Sequence, residues 1–342
     1  MQLAFLNSKK YATINALKAA LAASIAYALG MYLESHFKMT QSYLWIVITV
    51  LVVMSTQPNL GGALDKALMR FLGTVIGAMI AIIILLSVPS WLNYYFAIPF
   101  VILAVYTAGA SSKFSYAGTL SGITLIIILL NQNPSIQVAM YRAVEISLGI
   151  GISLMVNRFV FPIRAETRLK ESYANTILQI RDFFDILFIE RNDNHRKLRE
   201  GLYGEFAKHL NLIKELKYEK SDKSVREFEK MSLYSRRLYR YMIISYERLE
   251  SGFSNKSFEN INNEVFNGFK QHIIESLEDI ARDIKSRKRI SYHEIVKYDK
   301  HILPLLEDEQ HDETFLFSIR MFLDALEKFS KEYNYILHIS KH

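Results

Sequence analysis

Nearly all the long apolar runs of this 342-residue chain fall before residue 162. A run such as Tyr11 to Leu33 is long enough to cross a bilayer, whose hydrocarbon core of ~30 Å takes roughly 20 apolar residues as a helix. Six membrane helices are expected, at about 11–33, 42–56, 68–87, 91–110, 115–131 and 139–161. Beyond Phe161 and Pro162 the chain becomes rich in charge and carries apolar residues at helical spacing, which predicts a soluble bundle. The expected fold is all-α: a six-helix membrane domain over 1–162 followed by a cytoplasmic helical domain over 163–342.

The second segment is the unusual one. Tyr43 to Met54 would be about 18 Å long as a helix, well short of the hydrocarbon thickness. It ends at a polar corner, Thr56-Gln57-Pro58-Asn59, and an amphipathic lead-in from Ala63 to Met69 then reaches Arg70, Gly73, Thr74 and Gly77. The pattern returns in the second half. Ile48-Thr49-Val50-Leu51 before Gln57-Pro58, with Arg70 and Gly73 beyond, is echoed by Ile123-Thr124-Leu125-Ile126 before Asn131-Gln132-Asn133-Pro134, with Arg142 and Gly149 beyond. Short apolar segments at matching places in two halves point to a transporter's substrate site. Three spans per half is an odd number, so such a repeat is inverted.

Charge gives the orientation. Residues 1–162 hold nine Lys or Arg against three acids. Lys9, Lys10, Lys66, Arg70, Lys113, Arg158, Arg164 and Arg168 fall on one side and only Lys38 and Arg142 on the other, so the first side is expected in the cytoplasm, with both termini. The pI of about 9.2 therefore reflects membrane topology, and no nucleic-acid partner is expected. Lys9 and Lys10 before an alanine-rich run resemble a signal peptide, but the run is long and further spans follow, which favours an uncleaved first span.

Small residues mark close helix contacts. Ala12, Ala16, Ala19 and Ala23 share a face of the first segment, and Gly73, Gly77 and Ala81 share a face of the third; both are read as packing within one bundle rather than a dimer seam. Trp91, Tyr94, Tyr95 and Phe96 read as an interfacial belt, with Pro99 kinking the helix they open. In the soluble part, stripes are expected on Leu169, Tyr173, Ile177, Ile180 and Phe184, on Leu198, Leu202, Phe206, Leu210 and Ile213, on Val225, Phe228, Leu238, Met242 and Leu249, and on Phe315, Ile319, Phe322, Leu326, Phe329 and Tyr333. Ser224-xx-Glu227 and Ser291-xx-Glu294 read as capping boxes, and Ser251 to Asn255 as a turn.

Enzyme chemistry finds little support. There is no cysteine, no phosphate-binding glycine loop with its lysine and no Gly-x-Ser-x-Gly elbow. His293-Glu294 opens like a zinc-protease helix but Lys297 stands where the second histidine belongs, and the histidines read as surface residues, so neither metal nor cofactor is expected.

What remains is charge inside the membrane half, where each ionisable group costs roughly 2.5–3.5 kcal/mol at a helix centre. Lys18 either snorkels to the interface or faces a central cavity. Arg70 is either a topology anchor or a pathway residue. Arg142 runs against the positive-inside bias and shares a helix face with Glu145, so the two form either a self-satisfying pair or an anion site with Glu145 as a proton-coupling group.

Trp45 in a short second helix, the Gln57-Pro58 corner, Arg70-xx-Gly73-Thr74-xx-Gly77, and a later Arg142 before Gly149, Asn157 and Pro162 resemble the fusaric acid resistance and aromatic acid exporter family, with plant aluminium-activated malate transporters as distant relatives. The resemblance covers residues 10–162. It implies export of organic anions, often aromatic carboxylates, across a bacterial inner membrane, with Trp45, Arg70, Gly73, Thr74, Gly77 and Arg142 carried over as its motif residues. Together with the charged and polar positions read above, the expected path takes in Lys18, Trp45, Gln57, Arg70, Thr74, Asn131, Arg142 and Glu145, with Pro58, Gly73, Gly77 and Gly149 shaping the helices. The resemblance brings in membrane lipid and a periplasmic adaptor as partners. One membrane block, where many members have more, suggests a homodimer. The alternatives are a passive anion channel and a non-transporting scaffold whose soluble domain docks a partner.

Overall fold

The computed structural model describes residues 2–37, 39, 41–55, 60–131, 133–190, 196–251, 264–291 and 313–339. Every element among them is helical, and the chain divides into two compact units, Met1–Arg164 and Ala165–His342.

The first unit holds α1 (Gln2–Phe37), α2 (Ser42–Ser55), α3 (Leu60–Ser87), a 3₁₀ turn Ser90–Leu92, α4 (Asn93–Ala110), α5 (Ser115–Leu129) and α6 (Ile136–Phe159). Four stretches, Lys10–Phe37, Gly61–Ser87, Ser90–Ala110 and Ile136–Phe159, are long and apolar enough to cross a membrane. The apolar helices α2 and α5 are shorter, at 14 and 15 residues, or roughly 21–23 Å. α3 begins eight residues before the expected start because the lead-in joins it: Ala63 and Ala67 are buried, packed in one cluster with Val53. α4 continues through Pro99, and Trp91, Tyr94, Tyr95 and Phe96 around its start are exposed. At the start of α6 the Ser135 hydroxyl accepts from the Val138 N–H at 3.3 Å, capping one of the free amides of the first turn.

The helices pair in a regular way. α2 packs on α1 and α6, α5 packs on α4 and α3, and α3 packs on α6. α1 and α2 are antiparallel, since Asn15 Nδ2 donates to the Met54 carbonyl at 2.8 Å near one end and Gly30 lies against Tyr43 near the other. α4 and α5 are antiparallel too, with Gly118 against Ala104 and Thr107. α6 runs parallel to α2, and α3 parallel to α5. The glycines make these approaches: a Cβ on Gly73 would lie 2.5 Å from the Ala117 carbonyl oxygen, and one on Gly77 would lie 2.4 Å from that of Ser121. These two glycines thus serve packing within the chain.

The second unit holds α7 (Ala165–Asp185), a π-helical turn Ile186–Glu190, α8 (Arg196–Leu216), α9 (Asp222–Ser251), α10 (Glu264–Ser286) and α11 (Glu313–Ile339). α7 packs on α8, α9 and α10, and α11 packs on α9. Its stripe of Leu169, Tyr173, Ile177, Ile180 and Phe184 is buried, and the Tyr173 hydroxyl donates to the Phe228 carbonyl at 2.5 Å, tying α7 to α9. The stripe expected on α11 is buried throughout.

Three expectations for this unit are corrected. Leu210 is 49% exposed, because the buried face of α8 runs through Leu202, Phe206, His209, Leu212 and Ile213. His209 is therefore a core residue with no exposure, its Nε2 3.2 Å from Thr176 Oγ1 and its ring 4.3 Å from that of Tyr173. Ser224-xx-Glu227 caps nothing: α9 starts at Asp222, and Glu227 accepts from Lys230 at 2.8 Å instead. The second capping box, His293, and the turn after Ser251 fall outside the described residues.

Candidate functional site: a polar seam along α2

Ser42, Trp45 and Thr49 stand at i, i+3 and i+7 on α2, so they share one face of an otherwise apolar helix. Each meets a charged side chain. Glu145 Oε1 lies 2.7 Å from Ser42 Oγ, and Glu145 Oε2 accepts from Arg142 Nη1 at 2.7 Å. The Arg142 guanidinium sits 4.0 Å over the Trp45 ring, where the negative face of the π-system attracts it. Thr49 Oγ1 accepts from Arg70 Nη2 at 3.2 Å, and Arg70 Nη1 donates to the Tyr116 hydroxyl at 3.3 Å. From Ser42 to Thr49 is ~10 Å along the helix, so two arginines from different helices are held on one short seam.

Their charges are handled differently. Arg142 and Glu145 are both buried and paired at i, i+3, so together they carry no net charge. Arg70 is 5% exposed and its partners are two neutral hydroxyls; among the described residues no carboxylate faces it, and its Nε is unpartnered. One turn along α3, Thr74 is buried, and among the described residues its hydroxyl has no partner. Lys18 on α1 is 1% exposed, and among the described residues its ammonium has no hydrogen-bond partner, so it does not snorkel to the surface of this unit.

The backbone explains the difference between the arginines. Arg70 and Gly77 are seven residues apart on α3, as Arg142 and Gly149 are on α6. Gly149 lies against Thr49, where a Cβ would meet the threonine Cβ at 2.6 Å, and Gly77 lies against Thr124 at 3.0 Å in the same sense. Gly77, rather than Gly73, thus stands to Arg70 as Gly149 stands to Arg142. Gly73 then occupies the place of Glu145: it lies against Ala117 where Glu145 reaches Ser42. A carboxylate accompanies the second arginine, and a bare backbone accompanies the first.

The other expected residues are not part of this seam. Asn131 lies at the start of the loop after α5, its Oδ1 accepting from the Asn133 N–H at 3.3 Å. Gln57 and Pro58 lie outside the described residues. Sequence reading missed Ser42, Thr49 and Tyr116 as partners of the charged groups; the i, i+3, i+7 spacing of polar residues on α2 was the signal for two of them.

A seam with fixed buried cations sits in a chain whose family model, for fusaric acid resistance proteins, matches residues 13–250. The chain belongs to the fusaric acid resistance protein family. The match runs beyond residue 162, where the sequence resemblance had stopped, and so takes in α7, α8 and most of α9. Among relatives, the multidrug resistance protein MdtO of Escherichia coli (strain K12) is 28% identical over 134 residues, covering 36% of this chain and 20% of MdtO. The inner membrane protein YeeA of the same strain is 25% identical over 171 residues, covering 48% of this chain and 46% of YeeA. The chain spans about a fifth to about half the length of the curated relatives it matches. In a family member of this kind, a buried arginine facing only hydroxyls can hold a carboxylate through parallel N–H bonds, with hydroxyl donors completing the shell.

Proposed function

We propose that this protein is a membrane efflux carrier for organic anions, aromatic carboxylates among them, and that Arg70 is the charge that receives the carboxylate. The observation that carries this reading is that Arg70 is buried without an acid, whereas Arg142 already has one. Leaving a charge buried and uncompensated is strongly unfavourable, so such a charge is kept where a ligand of opposite sign visits it. Thr49, Thr74 and Tyr116 supply hydroxyls around it, and Trp45 and Tyr116 supply aromatic faces on the same seam.

Membership of the fusaric acid resistance family and the similarity to a multidrug resistance protein support an efflux role. The helix pairing supports an inverted repeat of α1–α3 and α4–α6: exchanging the halves turns the α1/α2 pair into α4/α5 and the α2/α6 pair into α5/α3. The reciprocal packing of Gly149 on Thr49 and Gly77 on Thr124 follows the same exchange. Two mirror-related halves enclosing a site are the framework of alternating access. We place the protein in a bacterial inner membrane with residues 163–342 in the cytoplasm, acting as a homodimer; a periplasmic adaptor would be its downstream partner.

The test is export of radiolabelled benzoate from loaded proteoliposomes containing the full chain. Wild type should release it faster than empty vesicles, Arg70→Met should not, and Arg70→Lys should retain a fraction. Equal release by wild type and Arg70→Met would remove Arg70 from the path. Release that ignores an imposed proton gradient would point to a passive channel, and no release by wild type would favour the scaffold reading.

A further inference from the structure

The membrane unit holds a second group of buried polar atoms that the Arg70 site does not use. Asn15 and Lys18 stand three residues apart on the buried face of α1, and Asn157 lies near the end of α6. They are 9%, 1% and 1% exposed. Among the described residues, Asn15 Oδ1, Lys18 Nζ and both polar side-chain atoms of Asn157 have no hydrogen-bond partner.

Asn15 and Lys18 flank the last turn of α2, and Asn157 lies on α6 at the level of that turn. The Asn15 amide donates to the Met54 carbonyl at 2.8 Å, which fixes the antiparallel register and sets Lys18 beside the turn Val50–Met54. One turn further along α1, Ala22 packs in a single cluster with Val50, Met54 and Val156, the residue before Asn157. Three helices therefore bring an ammonium and two carboxamides to one end of the unit, in an otherwise apolar surrounding. Buried polar groups are satisfied in the great majority of cases, and a buried group left without a partner calls for a ligand, a water or an ion. An ammonium with three free donors and a carboxamide N–H select an anionic oxygen ligand, and the two amide oxygens leave room for its hydroxyl or for a bridging water.

We propose that Lys18, Asn157 and Asn15 form a second carboxylate subsite, beside the last turn of α2 and distinct from the partners of Arg70. The inference rests on the reading of the protein as an organic-anion carrier, and it makes transport a hand-over between two fixed cations. Conduction through sites in series needs each to be strong enough to capture the ion and weak enough to release it, which two sites satisfy better than one.

The experiment is equilibrium binding of radiolabelled benzoate to the full chain in nanodiscs. Wild type should bind two equivalents, Lys18→Met and Arg70→Met one each, and the double variant none. Asn157→Leu keeps every charge and should weaken one of the two sites about tenfold, the loss of one charge-assisted hydrogen bond. Lys18→Arg should keep both. Asn157→Leu also protects the test should Lys18→Met not fold. Two equivalents bound by Lys18→Met, or two unweakened sites in Asn157→Leu, would overturn the subsite. A single wild-type equivalent, lost only with Arg70, would overturn it while leaving the carrier reading intact. No binding by wild type would sink both.

Discussion

Glu145 Oε2 lies 2.7 Å from Arg142 Nη1, and Gly73 holds the corresponding place beside Arg70. One arginine of the seam therefore brings its own counter-charge, and the other has none among the described residues. Glu145→Gln should be costly, since breaking one side of a buried pair typically loses about 3–5 kcal/mol. Arg142→Met combined with Glu145→Leu removes both charges at similar volume and should recover most of that loss. If Arg70 is the receptor, the double variant should also export benzoate. Thermal unfolding in detergent and proteoliposome efflux check the two halves of this expectation; an inactive but stable double variant would return the anion site to Arg142.

Gly149 and Gly151 are two residues apart on α6 but face different surroundings. A Cβ at 149 would meet Thr49 Cβ at 2.6 Å and the Ile46 carbonyl oxygen at 2.9 Å, whereas one at 151 has nothing within 4 Å. Gly149→Ala should destabilise the unit by about 1–3 kcal/mol by forcing α6 off α2. Gly151→Ala should be neutral or stabilising by up to about 1 kcal/mol through helix propensity. Equal effects of the two substitutions in thermal unfolding would deny the close contact.

His209 has its imidazole pKa pushed down from the usual 6.5 to about 3, first by burial in the α7/α8 contact. The folded state thus stays neutral at a pH where the unfolded chain takes up a proton. Stability should be flat above about 6.5 and fall as pH drops below it, by up to about 1.4 kcal/mol per unit. Hydrogen exchange of α7 and α8, corrected for intrinsic rates, should show that slope, and His209→Gln should abolish it.

Glu332 on α11 and Glu227 on α9 share a hydrogen bond, with Lys230 Nζ 2.8 Å from Glu227 and 3.5 Å from Glu332. Burial, then the neighbouring Glu227, pushes the Glu332 carboxyl up to about 7, while the bond from Glu332 holds Glu227 below its ordinary value. A raised acid contributes most below its unfolded value of 4.5, and that contribution is lost as pH rises through about 7. Glu332→Gln keeps a donor toward Glu227 without the ionisation. It should therefore protect the α9/α11 contact at pH 8 relative to wild type, as read by hydrogen exchange, with little difference at pH 5.

The all-helical character and the two short apolar helices were legible in the order of residues alone. Length and hydropathy are properties of a contiguous run, and the bilayer or the core that rewards them acts on the run as a whole. The same holds for the stripe from Leu169 to Phe184, whose spacing dictates a buried face whatever it packs against. The charge state of the seam was not legible, because it depends on which side chains meet across helices. Nothing in the sequence around Arg70 says that its partners are Thr49 and Tyr116, or that Gly73 stands where Glu145 does. His209 was misread for a similar reason: its burial is set by Thr176 and Tyr173 on another helix, while in the sequence it stands beside Lys208 and off the stripe on which Leu210 was expected. Periodicity reports how a helix is oriented toward something apolar; only tertiary packing decides which polar groups are brought together, and hence which buried cation is paired with an acid and which is not.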